Sequence, residues 1–255
     1  MEFSVCIPCF FGRLSPAEAI QCTVKAGFHA VEYWRVSDAD ISEIRKAADG
    51  EGVRIVSLCP DDFRMNEPCV RVDWLDALKR SIDKACAIGA DKLTAQVGQN
   101  TGLPRAEQTH AIIESLTLAR PLLESAKVTL MVEPLNTRYD HPGYFLGSAD
   151  EGAEIVKELN SPNIRLILDF YHQQAMAGDL MNTFSHHKSL IAHTHIAGNP
   201  GRHEPWLGET NYHALFRHME AEGYTGLTGL EYLPKMDAIE SLKTFREMYC
   251  EMAVR

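Results

Sequence analysis

Two textures alternate along the chain. Short runs dominated by apolar and β-branched residues, such as Ile164-Arg165-Leu166-Ile167-Leu168, are followed by longer stretches in which apolar side chains recur every third or fourth position. The first texture suits a buried strand and the second an amphipathic helix. Strands are expected at residues 3–7, 30–33, 53–58, 92–97, 128–133, 164–169, 191–196 and 227–231. Helices are expected from Ser15 to about Gly27 and at 38–49, 72–88, 105–126, 148–159, 180–189, 212–222 and 237–252. The punctuation agrees. Ser15 stands where an N-cap belongs, with Pro16 at the first helical position. Gly27 suits a left-handed cap, and Gly50, Gly89 and Gly223 stop the helices before them.

Eight strand–helix units in series imply a parallel sheet with right-handed crossovers. Eight such units in 255 residues favour an α/β fold of one kind, a single (β/α)8 TIM barrel spanning residues 1–255. An open doubly wound sheet is the minority reading. No glycine-rich dinucleotide fingerprint or P-loop follows any strand, which counts against it.

Composition narrows the partners. With 45% hydrophobic and 24% charged residues the chain is an ordinary soluble one, and its formal net charge of -10 opposes nucleic acid and anionic lipid. No apolar run reaches the length of a membrane span, and residues 1–11 lack the basic start of a signal peptide, so a cytoplasmic protein is expected. Seven scattered cysteines do not form a disulfide framework. Cys6-Ile7-Pro8-Cys9 is a CxxC, but a redox pair would open a helix and Phe10-Phe11-Gly12 follows instead. It is read as a buried reduced pair at a strand end.

The chemistry lies at the C-terminal ends of strands, which face the active site in barrels of this type. The fifth expected strand ends in Glu133, the sixth in Asp169, the seventh carries His195, and the eighth ends in Glu231. Each strand is mostly apolar until its acid or imidazole arrives. Converging like charges without a cation are costly, and a divalent metal resolves that cost. Three carboxylates and one imidazole suit Mn2+ or Mg2+, and also Co2+, Zn2+ or Fe2+. His193 is expected on the opposite side of its strand from His195, packed between barrel and helix. His186 and His187 read as solvated, and His213 and His218 do not share a helix face. Trp34, Trp206, Phe10 and Phe11 are candidate pocket walls.

These segments carry a resemblance. Glu133-Pro134-Leu135-Asn136-Thr137-Arg138 with Pro142-Gly143-Tyr144-Phe145-Leu146 looks like the fifth-strand region of hydroxypyruvate isomerases. Gly201-Arg202-His203-Glu204-Pro205 with Gly208-Glu209-Thr210-Asn211-Tyr212 resembles their loop after strand seven, and Ala26-Gly27-Phe28 with Ala30-Val31-Glu32 their second strand. The wider group is the xylose-isomerase-like barrel superfamily. The resemblance implies that Glu133, Asp169, His195 and Glu231 are metal ligands, and that Glu133 and Glu231 are also the acid/base pair. It implies that His172 and Arg202 bind substrate and that Glu32 is an acidic residue near the pocket. His203 is grouped with the substrate-binding residues, or orders the loop together with Glu204. The resemblance also implies a homo-oligomer.

Two positions depart from the hydroxypyruvate isomerase pattern. That branch usually carries Gln where His195 stands, as the ketose epimerases do not, and it often ends the fourth strand with His where Thr94 and Gln96 stand. The implied reaction is proton transfer next to the carbonyl of a small keto acid or ketose, through an enediolate stabilised by the metal. Arg202 would pair with a substrate carboxylate. A ketose 3-epimerase of the D-tagatose 3-epimerase type is the alternative. An endonuclease-like phosphodiesterase would need extra histidines on early strands, and the first and third strands end in cysteines. A non-catalytic barrel is disfavoured by the intact carboxylate pair.

Overall fold

The computed structural model describes residues 1–250. Each apolar run forms one strand: β1 (Glu2–Cys6), β2 (Ala30–Tyr33), β3 (Arg54–Leu58), β4 (Lys92–Ala95), β5 (Thr129–Val132), β6 (Ile164–Asp169), β7 (Ile191–Ile196) and β8 (Leu227–Leu230). All neighbours pair in parallel, and β1 pairs with both β2 and β8, so the sheet closes in sequence order into a barrel. The (β/α)8 barrel expected from the alternation is the fold.

The helices are α1 (Ile7–Phe11), α2 (Pro16–Lys25), α3 (Ile41–Glu51), α4 (Arg71–Ile88), α5 (Arg105–Ala126), α6 (Ala149–Leu159), α7 (Phe170–Met176), α8 (Leu180–His187), α9 (Tyr212–Ala221) and α10 (Ala238–Tyr249). Helix α2 opens with the full reciprocal cap: the Ser15 side chain accepts from the Glu18 N–H, and the Glu18 carboxylate accepts from the Ser15 N–H. Helix α3 runs past Gly50 and ends at Gly52, which takes the left-handed conformation at φ 64°. The residue-252 end expected for the last helix lies outside the described residues. Among the described residues, no helix is long and apolar enough to cross a membrane.

Two short helices are additions to the expected pattern. Helix α1 starts directly where β1 ends, so Ile7 is helical and Cys6 is its N-cap; the CxxC does open a helix, contrary to expectation. Helix α7 follows β6 without a linker, because Asp169 caps it: its Oδ1 accepts from the N–H groups of Tyr171 and His172 at 2.7 and 3.2 Å. Both helices are too short for a periodic apolar signature.

Four strands end earlier than expected, at Cys6, Ala95, Val132 and Leu230. Glu133 and Glu231 are therefore the first residues to leave the ladder. Each still donates one backbone hydrogen bond to the neighbouring strand end, Glu133 to the Ala95 carbonyl at 3.0 Å and Glu231 to the Ile196 carbonyl at 3.1 Å. The backbone at these carboxylates is as fixed as a strand, while their side chains face the barrel mouth. Tyr144 adds a brace. Its hydroxyl accepts from the Val97 N–H at 2.8 Å and donates to the Glu133 carbonyl at 2.9 Å, out of contact with water. Tyr144→Phe leaves two buried backbone groups without a partner, an expected loss of about 1–3 kcal/mol. Urea unfolding of the two proteins measures it, and an unchanged midpoint would show that the brace carries no stability.

Candidate active site

Barrel closure brings the strand ends together. Glu133, Asp169, His195 and Glu231 each offer one ligand atom, and these atoms all lie within 4.8 Å of one another. Register does part of this: Asp169 on β6 pairs with His195 on β7, and His195 pairs with Gly229 on β8. All four side chains are buried.

The two glutamates share a division between their oxygens. Glu133 Oε2 accepts from Gln96 Nε2 at 2.9 Å, and Glu231 Oε1 accepts from the Trp34 indole N–H at 2.7 Å. Their other oxygens turn inward, lying 3.7 Å (Glu133 Oε1) and 3.1 Å (Glu231 Oε2) from His195 Nδ1. Asp169 has a similar split, since its Oδ1 caps α7 and its Oδ2 is left for the centre.

Charge in this volume is partly balanced by the chain itself. Arg202 Nη2 sits 2.6 Å from Glu231 Oε2 and 3.8 Å from Asp169 Oδ2. Burial pushes the Glu231 carboxyl up, but Arg202, His195 and the Trp34 hydrogen bond outweigh it and hold the group well below the usual carboxylate range. Asp169 goes the other way: burial raises it, and Arg202 only partly offsets that and the repulsion from Glu231. Burial disfavours the His195 cation, yet Glu231 and Glu32 more than compensate and raise it. The imidazole is thus the group that takes up positive charge among these acids.

The same residues fit a divalent cation. His195 Nδ1 is buried with no hydrogen-bond partner, although it faces two carboxylate oxygens. Once it gives up its proton, this nitrogen joins the inward carboxylate oxygens in an O3N donor set, which suits Mn2+, Mg2+, Co2+, Zn2+ or Fe2+.

A cavity of about 580 Å³ opens above these groups, lined by Glu133, His172, Arg202 and Glu231 among others. His172 has a defined tautomer. The Asn136 Oδ1 accepts from the N–H groups of Tyr139 and Asp140 at 3.0 and 3.1 Å, so its amide NH2 faces His172 Nδ1 at 2.7 Å. That NH2 only donates, so Nδ1 accepts and Nε2 carries the proton. Nε2 is buried without a partner, 3.4 Å from Asp169 Oδ2, and is a donor ready for a substrate oxygen. Burial, then the nearby Arg202, pushes the His172 imidazole down to about 3, so it is neutral at ordinary pH.

Arg202 is held in the left-handed region at φ 56°, following Gly201 at φ 96°. Strain of that kind persists only where the surroundings over-determine it. The Leu233 N–H donates to the Arg202 carbonyl at 2.7 Å, and Glu204 accepts from the N–H groups of Lys235 and Met236 at 2.8 and 3.3 Å. The loop after β7 is thereby pinned to the segment after β8.

The structure corrects the expected side of His193 and sharpens the placement of Glu32, His203 and the wall aromatics. His193 and His195 are two residues apart, and alternation along a strand puts such residues on the same face. Both rings point into the barrel, with centroids 5.1 Å apart. Glu32 does not line the large cavity; it lies behind His195, its oxygens occupied by Ser4, Ser57, His193 and His195. His203 follows the loop-ordering alternative: it lies off the cavity, with Nδ1 donating to the Leu233 carbonyl at 2.8 Å. Of the four candidate wall aromatics only Trp34 lines it. Gln96, Asn136 and Asp140 had no assigned role; only their polarity within otherwise apolar or turn segments could have marked them.

Known proteins resemble this chain over most of its length. The family model described as xylose isomerase-like TIM barrel matches residues 20–248. A 2-oxo-tetronate isomerase from Cupriavidus necator is 34% identical over 82% of this chain and 84% of its own. A hydroxypyruvate isomerase from Escherichia coli is 30% identical over 92% of this chain and 94% of its own. Among solved structures, one described as an AP endonuclease, family 2, from Brucella melitensis superposes with a TM-score of 0.91 at 30% identity, covering 97% of this chain and 99% of that one.

The neutral His172 has a consequence for stability. Its value is lowered from 6.5 to about 3 in the fold. Below the ordinary value the unfolded chain binds a proton that the folded one refuses. Stability is therefore complete above that value and is lost as pH falls toward the folded one. In urea unfolding of the metal-free protein, the loss between pH 7 and pH 5 should be larger for wild type than for His172→Gln, by about 1–2 kcal/mol. Equal losses would contradict the neutral assignment.

Proposed function

The chain belongs to the xylose isomerase-like TIM barrel family and is an isomerase; we propose that it shifts a carbonyl between adjacent carbons of a short hydroxylated keto acid of the hydroxypyruvate or 2-oxo-tetronate type. The observation that carries this reading is the pair Glu133 and Glu231, two buried carboxylates facing one cavity across their shared centre. One glutamate takes the proton from the carbon beside the carbonyl. The electron pair moves into the carbonyl oxygen, and a proton returned to the former carbonyl carbon completes the shift, with the hydroxyl proton passing between the oxygens. Gln96 and Trp34 hold the outer oxygens of the pair, so both carboxylates keep their aim while the proton changes owner. His172 donates its Nε2 proton to a substrate oxygen, and Arg202 supplies the positive charge that a substrate carboxylate needs. When held by Glu133, Asp169, His195 and Glu231, one divalent cation, Mn2+ or Mg2+ first, supplies Lewis acidity toward the substrate oxygens.

A ketose 3-epimerase is the second reading, and His195 favours it, since the hydroxypyruvate isomerase branch usually carries Gln there. The acid/base pair serves both reactions. A phosphodiesterase is disfavoured by the net charge of -10 and by Cys6 and Cys59 at the first and third strand ends. The same proposal places the protein in the cytoplasm as a homo-oligomer.

Proton NMR in heavy water tests the reading, with Mn2+ or Mg2+ added and hydroxypyruvate, four-carbon keto acids and free ketoses as substrates. Metal-dependent deuterium uptake beside the carbonyl, with product, is the expected result on the keto acids. Exchange on ketoses alone would select the epimerase; no exchange on any compound by the metal-loaded protein would defeat both. Glu231→Gln should fold normally and lose turnover by at least about 100-fold. Retained turnover would remove Glu231 from proton transfer.

A further inference from the structure

We propose that Glu32 is a positioning residue: it reaches across the barrel interior to hold the Nε2 proton of His195, and so presents Nδ1 to the cation site. The proposal rests on the reading that Glu133, Asp169, His195 and Glu231 hold a cation.

Glu32 lies on β2 and is 2% exposed, yet both its oxygens are saturated. Oε1 accepts from Ser4 Oγ at 2.5 Å and His193 Nε2 at 2.9 Å. Oε2 accepts from Ser57 Oγ at 2.8 Å and His195 Nε2 at 3.0 Å. An ionised carboxylate has nothing to donate, so each imidazole must bring the proton on Nε2. In neutral His195 that leaves Nδ1 bare, and Nδ1 is the nitrogen facing Glu133 and Glu231. Among the described residues His193 makes no other side-chain hydrogen bond, since its Nδ1 is buried and unbonded. Its one visible task is to anchor Glu32.

The barrel also keeps the route clear. Gly229 stands between Ser4 on β1 and His195 on β7 in the strand register. A Cβ there would lie 2.5 Å from both Glu32 Oε1 and His195 Cδ2. A side chain at this position would strike the pair. Glu32, His193 and His195 are also near enough to form a cation site of their own. The four donors already on the carboxylate argue against that occupancy.

The test uses 15N-histidine-labelled full-length protein, first metal-free and then titrated with Zn2+ as a diamagnetic probe. His195 Nε2 should carry a proton in both states, with the zinc-induced shift confined to Nδ1. A proton-free Nε2 in either state would overturn the proposal. Calorimetry should give one equivalent of Zn2+, bound about 10- to 100-fold more weakly by Glu32→Gln. In that variant, saturating Mn2+ should restore most of the turnover, whereas Glu231→Gln stays inactive at any concentration. Wild-type affinity in Glu32→Gln, or a second equivalent in wild type, would also overturn it. Failure of the wild-type protein to bind any Zn2+ would strike the cation reading itself, while the metal-free spectrum still decides which nitrogen Glu32 holds. The wild-type spectra need no variant, so a Glu32→Gln protein that does not fold leaves the decision intact.

Discussion

Everything at the mouth of this barrel answers to one constraint: four carboxylates, Glu32, Glu133, Asp169 and Glu231, are buried within reach of a single imidazole, His195. Buried charge of one sign is among the most expensive things a fold can contain. The chain meets it with donors assigned oxygen by oxygen. Hydroxyls and imidazoles take Glu32, a side-chain amide takes one oxygen of Glu133, an indole takes one oxygen of Glu231, and a helix start takes one oxygen of Asp169. What these donors leave over is a set of inward oxygens and the Nδ1 of His195, gathered around a common centre. The site is defined by what the surrounding donors leave over.

Among the described residues, Arg202 is the permanent cation brought against that remainder, and the loop after β7 is shaped to deliver it. The backbone is forced into the left-handed region at both Gly201 and Arg202. At Gly198 a Cβ would meet the Glu204 carbonyl oxygen at 2.4 Å, and at Gly208 it would meet backbone atoms of Asn199 at 2.7 and 2.8 Å. The loop therefore folds back on itself too tightly for side chains. Glu204, 1% exposed, ties it to the residues after β8. The loop that carries Arg202 is thus tied to the segment that follows Glu231, which keeps the guanidinium on that carboxylate.

The strand ends were legible in the sequence because an apolar run ending in a single acid is a sharp local signal. Glu133, Asp169 and Glu231 stand out for that reason, and barrel closure then brings them together without further information. The helices α1 and α7 were not legible, since five and seven residues hold too few turns to show a period. Long-range contacts were less legible still. Glu32 reads as one more acid at a strand end, and only the closed barrel shows its carboxylate beside two histidines more than 160 positions away. The inward face of His193 was available from strand alternation alone, because residues two apart point the same way.

The division between strands and loops also separates reaction from substrate. The proposed proton-transfer pair and cation ligands sit at or just past strand ends, where the ladder fixes the backbone. The groups proposed to meet a substrate come from elsewhere: Arg202 from the loop after β7, His172 from α7 and Trp34 from the residue after β2. A barrel can keep the first set and exchange the second. Isomerisation and epimerisation next to a carbonyl both need the carboxylate pair; they differ in where the second proton is delivered, and that depends on how the substrate lies against the loop-borne groups. His195 belongs to the strand set, so its presence in place of Gln bears on how the centre is held. In the proposed reaction, the carbon that the returning proton reaches depends on the orientation that His172 and Arg202 impose, and those two donors are fixed here, one by Asn136 and the other by a strained loop pinned to Glu204.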